Sequence, residues 1–342
     1  MIRHLSVLVG IMVAGLAPAI HAQTPHVLVI SIDGLRPDIY RAPDRAGVSM
    51  PRLVALAQRG VQAERTLSVF PSVTYPAHTT MVTGVEPVRH KVVSNFRFGT
   101  LEWLTDAADI KAPTLWQAAR KAKVSTAAIM WPMTVGADID WMIPELEDSR
   151  KEDLRTALTR GSTKGLIARL ERTAGPVPAD TPDNPRAVEE LDRMAASYAA
   201  QIIRDHKPGL MLVHFLEADH MQHRYGPQSD AARRAFEHID GYLGTLQDAL
   251  QAAGIAEDTD VIVLGDHGFA PVHTVINTSR ILLDTGVGQM RDGMVKSDLV
   301  TFESQAGSGL FYPLPHADPA QLAAFQQRLR QVVDQHYRGV LR

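Results

Sequence analysis

Three apolar, β-branched runs of strand length each lead into acidic or imidazole side chains, and this constrains the fold more than any other feature. They are VLVISIDG, ending in Asp33; LMLVHFLEADHMQH, carrying Asp219 and His223; and DVIVLGDHG, ending in Asp266 and His267. A strand that stays apolar along its whole length is covered on both sides, as in parallel sheets flanked by helices. Ligands of such sheets gather in the crevice at the carboxyl ends of the strands. Between the first two runs, FPSVTYPAHTTMVTG places Thr74 just before a helical pattern started by proline. Its hydroxyl can then face the same crevice beside unpaired helix N–H groups, which makes it a candidate nucleophile.

Periodicity along the rest of the chain predicts strands at 26–32, 61–67, 124–130, 210–215 and 260–264. These alternate with helical patterns at 50–59, 74–82, 114–121, 186–205 and 231–252, the last ending at Gly254. The alternation predicts an α/β fold, a doubly wound and mostly parallel sheet with helices on both faces. The stretch 139–183 is less regular and more charged and closes with GPVPADTPDNP, so it reads as a small insertion capping the crevice. A last helical pattern spans 319–336, with no further strand expected after it. Arg3, an apolar run over 5–16 and small residues up to Ala22 make residues 1–22 a secretory signal peptide. That run is too short for a comfortable membrane span, and no later segment is apolar enough for one. The expectation is a single domain over 23–342 in a secreted or periplasmic protein.

The 342 residues contain no cysteine, which excludes disulfides, thiolate metal sites and a cysteine nucleophile. The formal charge is −3, or −4 without Arg3, and no Lys/Arg-rich stripe stands out, which argues against a stable nucleic-acid complex. Any metal must therefore be held by Asp, His and hydroxyl groups. Asp219 and His223 are four apart and share a face if their segment is helical. Asp266 and His267 are adjacent but flanked by Gly265 and Gly268, which permit the irregular backbone needed to aim both at one ion. Asp33 is followed by Gly34, a pair that is also an ordinary turn signal. His214, within the second run, and His220 read as packing histidines or as partners of a ligand. His78 reads equally as a buried helix histidine or as a group orienting a ligand carboxylate. Oxygen and imidazole donors without sulfur suit zinc, manganese or iron, and five of them exceed what one tetrahedral ion needs. Two ions roughly 4 Å apart can hold the attacking and leaving oxygens of a phosphoryl displacement.

The strings ISIDGLRPD, VFPSVTYPAHTTMVTGVEP with HKVVSNF, FLEADHMQHRYGP and VLGDHGFAPV resemble, in order, the nucleotide pyrophosphatase/phosphodiesterases of the alkaline phosphatase superfamily. The resemblance implies two zinc ions. One would be held by Asp33, Thr74, Asp266 and His267, and the other in part by Asp219 and His223. It further implies that Thr74 is the nucleophile, that Asn95 contacts a non-bridging phosphate oxygen, and that the Tyr75 ring lines the leaving-group pocket. The family completes its second site with a later histidine in a Gly-x-His-Gly setting. After His267 the chain offers His273, His316 and His336, and none precedes glycine. The expectation is an incomplete second site, in a fragment or a shortened homologue. The implied activity is metal-dependent hydrolysis of small phosphodiesters or nucleotide pyrophosphates through a phospho-threonine. The alternatives are a phosphomonoesterase of the same superfamily and a non-catalytic phosphate- or nucleotide-binding homologue.

Overall fold

The computed structural model describes residues 26–98, 100, 102–146, 152–179, 185–305 and 307–341. The expected signal peptide lies outside the described residues. The core is a five-stranded sheet of β1 (His26–Ile32), β2 (Thr126–Trp131), β3 (Trp141–Pro144), β4 (Leu210–Phe215) and β5 (Thr259–Leu264), all pairs parallel, in the order β3-β2-β4-β1-β5. Helices α1 (Pro37–Arg41), α2 (Pro51–Arg59), α3 (Thr74–Thr83), α4 (Pro87–His90) and α5 (Leu115–Lys121) lie between β1 and β2. Between β3 and β4 come α6 (Leu154–Gly161), α7 (Leu166–Ala174) and α8 (Pro185–His206); α9 (Glu217–Tyr225) and α10 (Asp230–Ala253) precede β5.

Alternate residues of each strand feed two apolar layers. Leu28, Ile30 and Ile32 of β1, Met211, Val213 and Phe215 of β4, and Ala127 and Ile129 of β2 pack on one face against α2, α6, α7, α8 and α10. Val29, Leu212, Ala128 and Trp131 point to the other face, where Val82 of α3 and Trp116 of α5 cover them. Strands β1, β2 and β4 are thus covered on both sides by helices, as continuous apolar runs require, whereas β5 at the sheet edge is only partly covered and Ile262 stays exposed.

Several elements differ from the sequence reading. Residues 61–67 form no strand: Val61 and Leu67 are almost fully exposed and the segment pairs with nothing in the sheet. The VQAERTL run puts Glu64 and Arg65 where a buried strand needs apolar side chains. The stretch 139–183 is not a cap over its described part. It contributes β3 to the sheet, and Leu154, Leu158, Leu166, Ile167 and Leu170 of α6 and α7 join the main core. Its charge belongs to the solvent faces of two amphipathic helices. Residues 147–151 and 180–184 of that stretch lie outside the described residues. Two hairpins were also not foreseen: β6 (Gln289–Arg291) with β7 (Met294–Lys296), and β8 (Val300–Gln305) with β9 (Ser308–Pro313). With α11 (Thr278–Asp284) and α12 (Pro319–His336), the second hairpin closes a small separate core around Leu282, Leu299, Val300 and Phe325.

Ile30 sits mid-strand in β1, between β4 and β5, with 1% of its surface exposed. Ile30→Ala removes buried methyl groups at a site that neighbouring strands prevent from collapsing, so it should cost about 2–5 kcal/mol. Chemical denaturation monitored by circular dichroism measures this, and a loss below about 0.5 kcal/mol would contradict the core described.

Candidate active site

The strand order places β4, β1 and β5 side by side, so the three ligand-bearing strand ends converge. Asp33 follows β1 directly, and its backbone N–H still donates to the Phe215 carbonyl at 2.9 Å, which locks it to the end of β4. Gly34 then turns the chain at φ 67°; a Cβ there would lie 2.8 Å from Gln222 Nε2, so both conformation and space call for glycine. Gly265, after β5, is just as confined, because a Cβ would stand 2.7 Å from the Leu35 Cβ. Asp266 is fixed by accepting, through Oδ1, from the backbone N–H groups of Gly34 at 3.1 Å and His267 at 2.9 Å.

Asp33, Asp266 and His267 consequently offer ligand atoms to a common point. His267 Nε2 lies 3.2 Å from Asp33 Oδ1, 3.5 Å from Asp266 Oδ2 and 4.0 Å from Asp219 Oδ1. Asp219 and His223 stand on one face of α9, 3.5 Å apart, as their spacing predicts. The His223 ring is held edge-on by Phe269 at 4.6 Å. Thr74 is the first residue of α3, and Val73 rather than Thr74 is the N-cap. His78, one turn on, donates from Nδ1 to the Thr74 carbonyl at 2.8 Å and has the same nitrogen 3.7 Å from Asp266 Oδ2. The first turn of α3 thereby abuts the carboxylates. Asn95 accepts the Tyr75 N–H through Oδ1 at 2.9 Å, which leaves its Nδ2 group as the donor.

Tyr75 does not stand where an open pocket would need it. Its ring is fully buried among Val92, Leu104 and Met133, 5.5 Å from the Trp103 ring. A tyrosine at the second position of a helix has its side chain aimed back over the preceding segment, and here that segment is packed. A groove of about 1000 Å³ reaches Asp266 and His267 from the side of Leu35, Tyr40, Leu67 and Val263, but neither Thr74 nor Asn95 lines it. It adjoins the carboxylates without being the cleft between them and Thr74.

Electrostatics show what the cluster lacks. Burial, followed by the charges of Asp266 and Asp219, raises the Asp33 carboxyl well above its ordinary range. Burial would raise Asp266 too, but the imidazoles of His267 and His214 and the backbone N–H of Gly34 outweigh it and hold this carboxyl below the usual value. Burial opposes charge on His267, yet Asp266, Asp33 and Asp219 push its pKa up to about 9. Burial, reinforced by His214, drives His78 down to about 3, so it stays neutral. Asp33 Oδ1 and Asp266 Oδ2 are buried and make no hydrogen bond, the ion-pair approach of His267 being their nearest positive charge. Orphaned carboxylate oxygens cost several kcal/mol unless a cation meets them. The donor set of carboxylates, imidazole and hydroxyl, without sulfur, fits a divalent transition cation.

Buried residues behind the carboxylates support this centre: His214, read from the sequence as a packing residue or a partner of a ligand, and Glu145 and Gln222, which the sequence reading left aside. His214 is fully buried behind Asp33, its Nε2 3.4 Å from Asp33 Oδ2 and its Nδ1 2.9 Å from Glu145 Oε2. The first is an ion-pair approach rather than a well-formed hydrogen bond. Burial opposes charging His214, but Asp33 and Glu145 together raise its pKa well above the ordinary value. Nδ1 also approaches the carbonyl of Met130 at 3.2 Å, where β2 bulges and Met130 takes φ 56°. Glu145 carried no signal, because it lies in the stretch expected to be a cap. Gln222 spans Gly34 and Arg36, donating to the Gly34 carbonyl at 3.0 Å and accepting from Arg36 at 2.8 Å.

The comparisons with known proteins point the same way. Over 257 residues the chain is 27% identical to an uncharacterised pyrophosphatase/phosphodiesterase of Schizosaccharomyces pombe, covering 72% of this chain and 45% of that one. Over 260 residues it is 24% identical to a bis(5′-adenosyl)-triphosphatase of Mus musculus, covering 73% and 48%. The chain thus spans about half the length of these curated relatives or less. Phosphonoacetate hydrolase from Sinorhizobium meliloti, solved with phosphonoacetate, shares the fold at a TM-score of 0.63 and 21% identity, covering 88% of this chain and 72% of that one. Murine ectonucleotide pyrophosphatase/phosphodiesterase 5, in an inactive threonine-to-alanine form with AMP, gives 0.58 and 21%, covering 88% and 69%. Residues 27–340 match the type I phosphodiesterase / nucleotide pyrophosphatase family, and the chain belongs to that family.

Proposed function

We propose that this chain hydrolyses phosphodiester or nucleotide pyrophosphate bonds of small molecules, with Thr74 as the nucleophile. Zinc ions would be held by Asp33, Thr74, Asp266 and His267 on one side and by Asp219 and His223 on the other. The observation that carries this reading is the convergence of Asp33, Asp219, Asp266 and His267, with two orphaned carboxylate oxygens, beside the first turn of α3. A relative named as a bis(5′-adenosyl)-triphosphatase and a neighbour solved with AMP support a nucleotide-like substrate. The inactive form of that neighbour carries a threonine-to-alanine change, which supports a threonine nucleophile.

The bound cations would supply the charge that lowers the pKa of the Thr74 hydroxyl and offsets the negative phosphoryl oxygens. The chain's own groups do the rest. Thr74 Oγ attacks phosphorus as its proton passes to solvent, and the bond from phosphorus to the leaving oxygen breaks, so the leaving group departs as an alcohol or phosphate that takes up a proton from water. Water then cleaves the resulting phospho-threonine and restores the hydroxyl. The N–H groups at the start of α3 favour an anion in front of them. Asn95 Nδ2 donates to a non-bridging oxygen where negative charge develops. His78, neutral and bonded to the Thr74 carbonyl, holds the nucleophile's backbone in place. His267 must give up its proton to act as a ligand. Among the described residues no helix is long and apolar enough to cross a membrane, and export directed by residues 1–22 is part of the reading.

Two substitutions test the roles. Thr74→Ala should abolish turnover of a chromogenic phosphodiester while the bound zinc stays nearly unchanged, because Asp33, Asp266 and His267 remain; turnover like that of the parent chain would sink the assignment. Asn95→Ala should lower kcat/KM by roughly 10- to 1000-fold through kcat, as removal of one oxyanion donor does. An effect confined to KM would mean that Asn95 only positions the ground state.

A further inference from the structure

Away from the carboxylate centre, three side chains from three helices meet at the far face of α9. Glu217 opens α9, Glu189 comes from α8 and His238 from α10, and their ligand atoms lie within 4.8 Å of one another. His238 Nδ1 is 3.0 Å from Glu217 Oε1 and 3.9 Å from Glu189 Oε1. Residues two apart on a helix do not share a face, so Glu217 turns away from the side on which Asp219 meets His267. The site is therefore separate from the one formed by Asp33, Asp266 and His267.

Only 2% of the Glu217 side chain is exposed, and its Oε2 is buried with no hydrogen-bond partner. A long carboxylate held in that state, beside an imidazole and a second carboxylate, has the donors of a cation site and an atom that nothing in the protein satisfies. His238 Nδ1 donates to Glu217 Oε1 at 3.0 Å, and an ion with bonds of roughly 2.0 Å, whose neighbouring tetrahedral ligands stand about 3.3 Å apart, can replace the shared proton with little movement of either side chain. Glu189 and His238 are partly exposed, at 44% and 37%, so an ion has an entry path and water can complete its shell. The framework is built beforehand. Asp192, fully buried, accepts from the backbone N–H groups of Leu216 and Glu217 at 2.9–3.0 Å and fixes the start of α9. Tyr242 ties α10 to the Glu189 carbonyl at 3.2 Å.

We infer that Glu189, Glu217 and His238 form a binding site for a divalent transition cation, of the zinc or manganese class, that braces α9 against α8 and α10. Two carboxylates and one imidazole are hard and borderline donors, which suit such an ion. Because α9 also carries Asp219 and His223, an ion at its first turn would steady the helix that supplies part of the main centre.

The test uses the full chain, stripped by chelation and re-equilibrated with zinc chloride. Anomalous diffraction at the zinc edge should show a peak within coordination distance of His238 Nδ1 and Glu217. Zinc content at saturation should fall by one equivalent in His238→Ala and in Glu189→Gln; the second change is at a partly exposed position and keeps the fold if the first does not. The ions at the Asp33, Asp266 and His267 centre should be unaffected in number, which separates this inference from the proposed activity. No peak at His238 under saturating zinc, or unchanged zinc stoichiometry in the folded variants, would overturn it.

Discussion

Mutual repulsion among Asp33, Asp219 and Asp266 is the constraint on which the rest of this structure turns. Three carboxylates crowd one imidazole at the end of a sheet whose interior is otherwise apolar. Such a cluster is costly in a medium of low dielectric constant unless positive charge enters it. The chain offsets part of that repulsion through His267 and His214, whose pKa values the surrounding carboxylates raise against the effect of burial. Two carboxylate oxygens still lack a hydrogen bond and meet only ion-pair approaches from His267 at 3.2 and 3.5 Å, and a divalent cation is the group that fits them.

The architecture serves to hold this arrangement together. Parallel pairing of β4, β1 and β5 brings Asp219, Asp33 and Asp266 from positions far apart in sequence to one edge. Gly34 and Gly265 let the backbone turn where a side chain would collide, and Asp266 is pinned by two backbone N–H groups. Behind the cluster, the buried His214 links Asp33 to Glu145, so the Asp33 carboxylate has a fixed partner rather than solvent. Positions fixed in this way can bind a cation without reorganising, which is what a catalytic centre needs.

Much of this was legible in the sequence because apolar runs ending in Asp and His report both the strand and its exposed end. β1 and β4 fall where periodicity puts them, and the spacing of Asp219 and His223 foretells their shared helix face. What stayed hidden depends on partners that local pattern does not reveal. The 61–67 segment has strand-like spacing but no neighbour to pair with, whereas β3 is only four residues long and looks irregular beside its charged surroundings. Glu145 gains its meaning from His214, 69 positions away, and Tyr75 is drawn into the core by Trp103 and Met133. Such contacts follow from the tertiary arrangement and leave no periodic trace.

The central claim is that the carboxylate cluster is built for a cation and pays a cost without one. Ionised Asp33 is disfavoured in the metal-free fold, so above the ordinary carboxylate range it detracts from stability, and below that range the cost disappears. Thermal unfolding of the chelated chain and of Asp33→Asn, each with and without added zinc, tests this directly. The account predicts that zinc raises the melting temperature of the parent chain with increasing concentration, as a ligand of the folded state must. It also predicts that Asp33→Asn melts no lower than the parent without metal and responds less to zinc. A parent chain indifferent to zinc, or an Asp33→Asn variant that loses stability in the absence of metal and keeps the full zinc response, would contradict it.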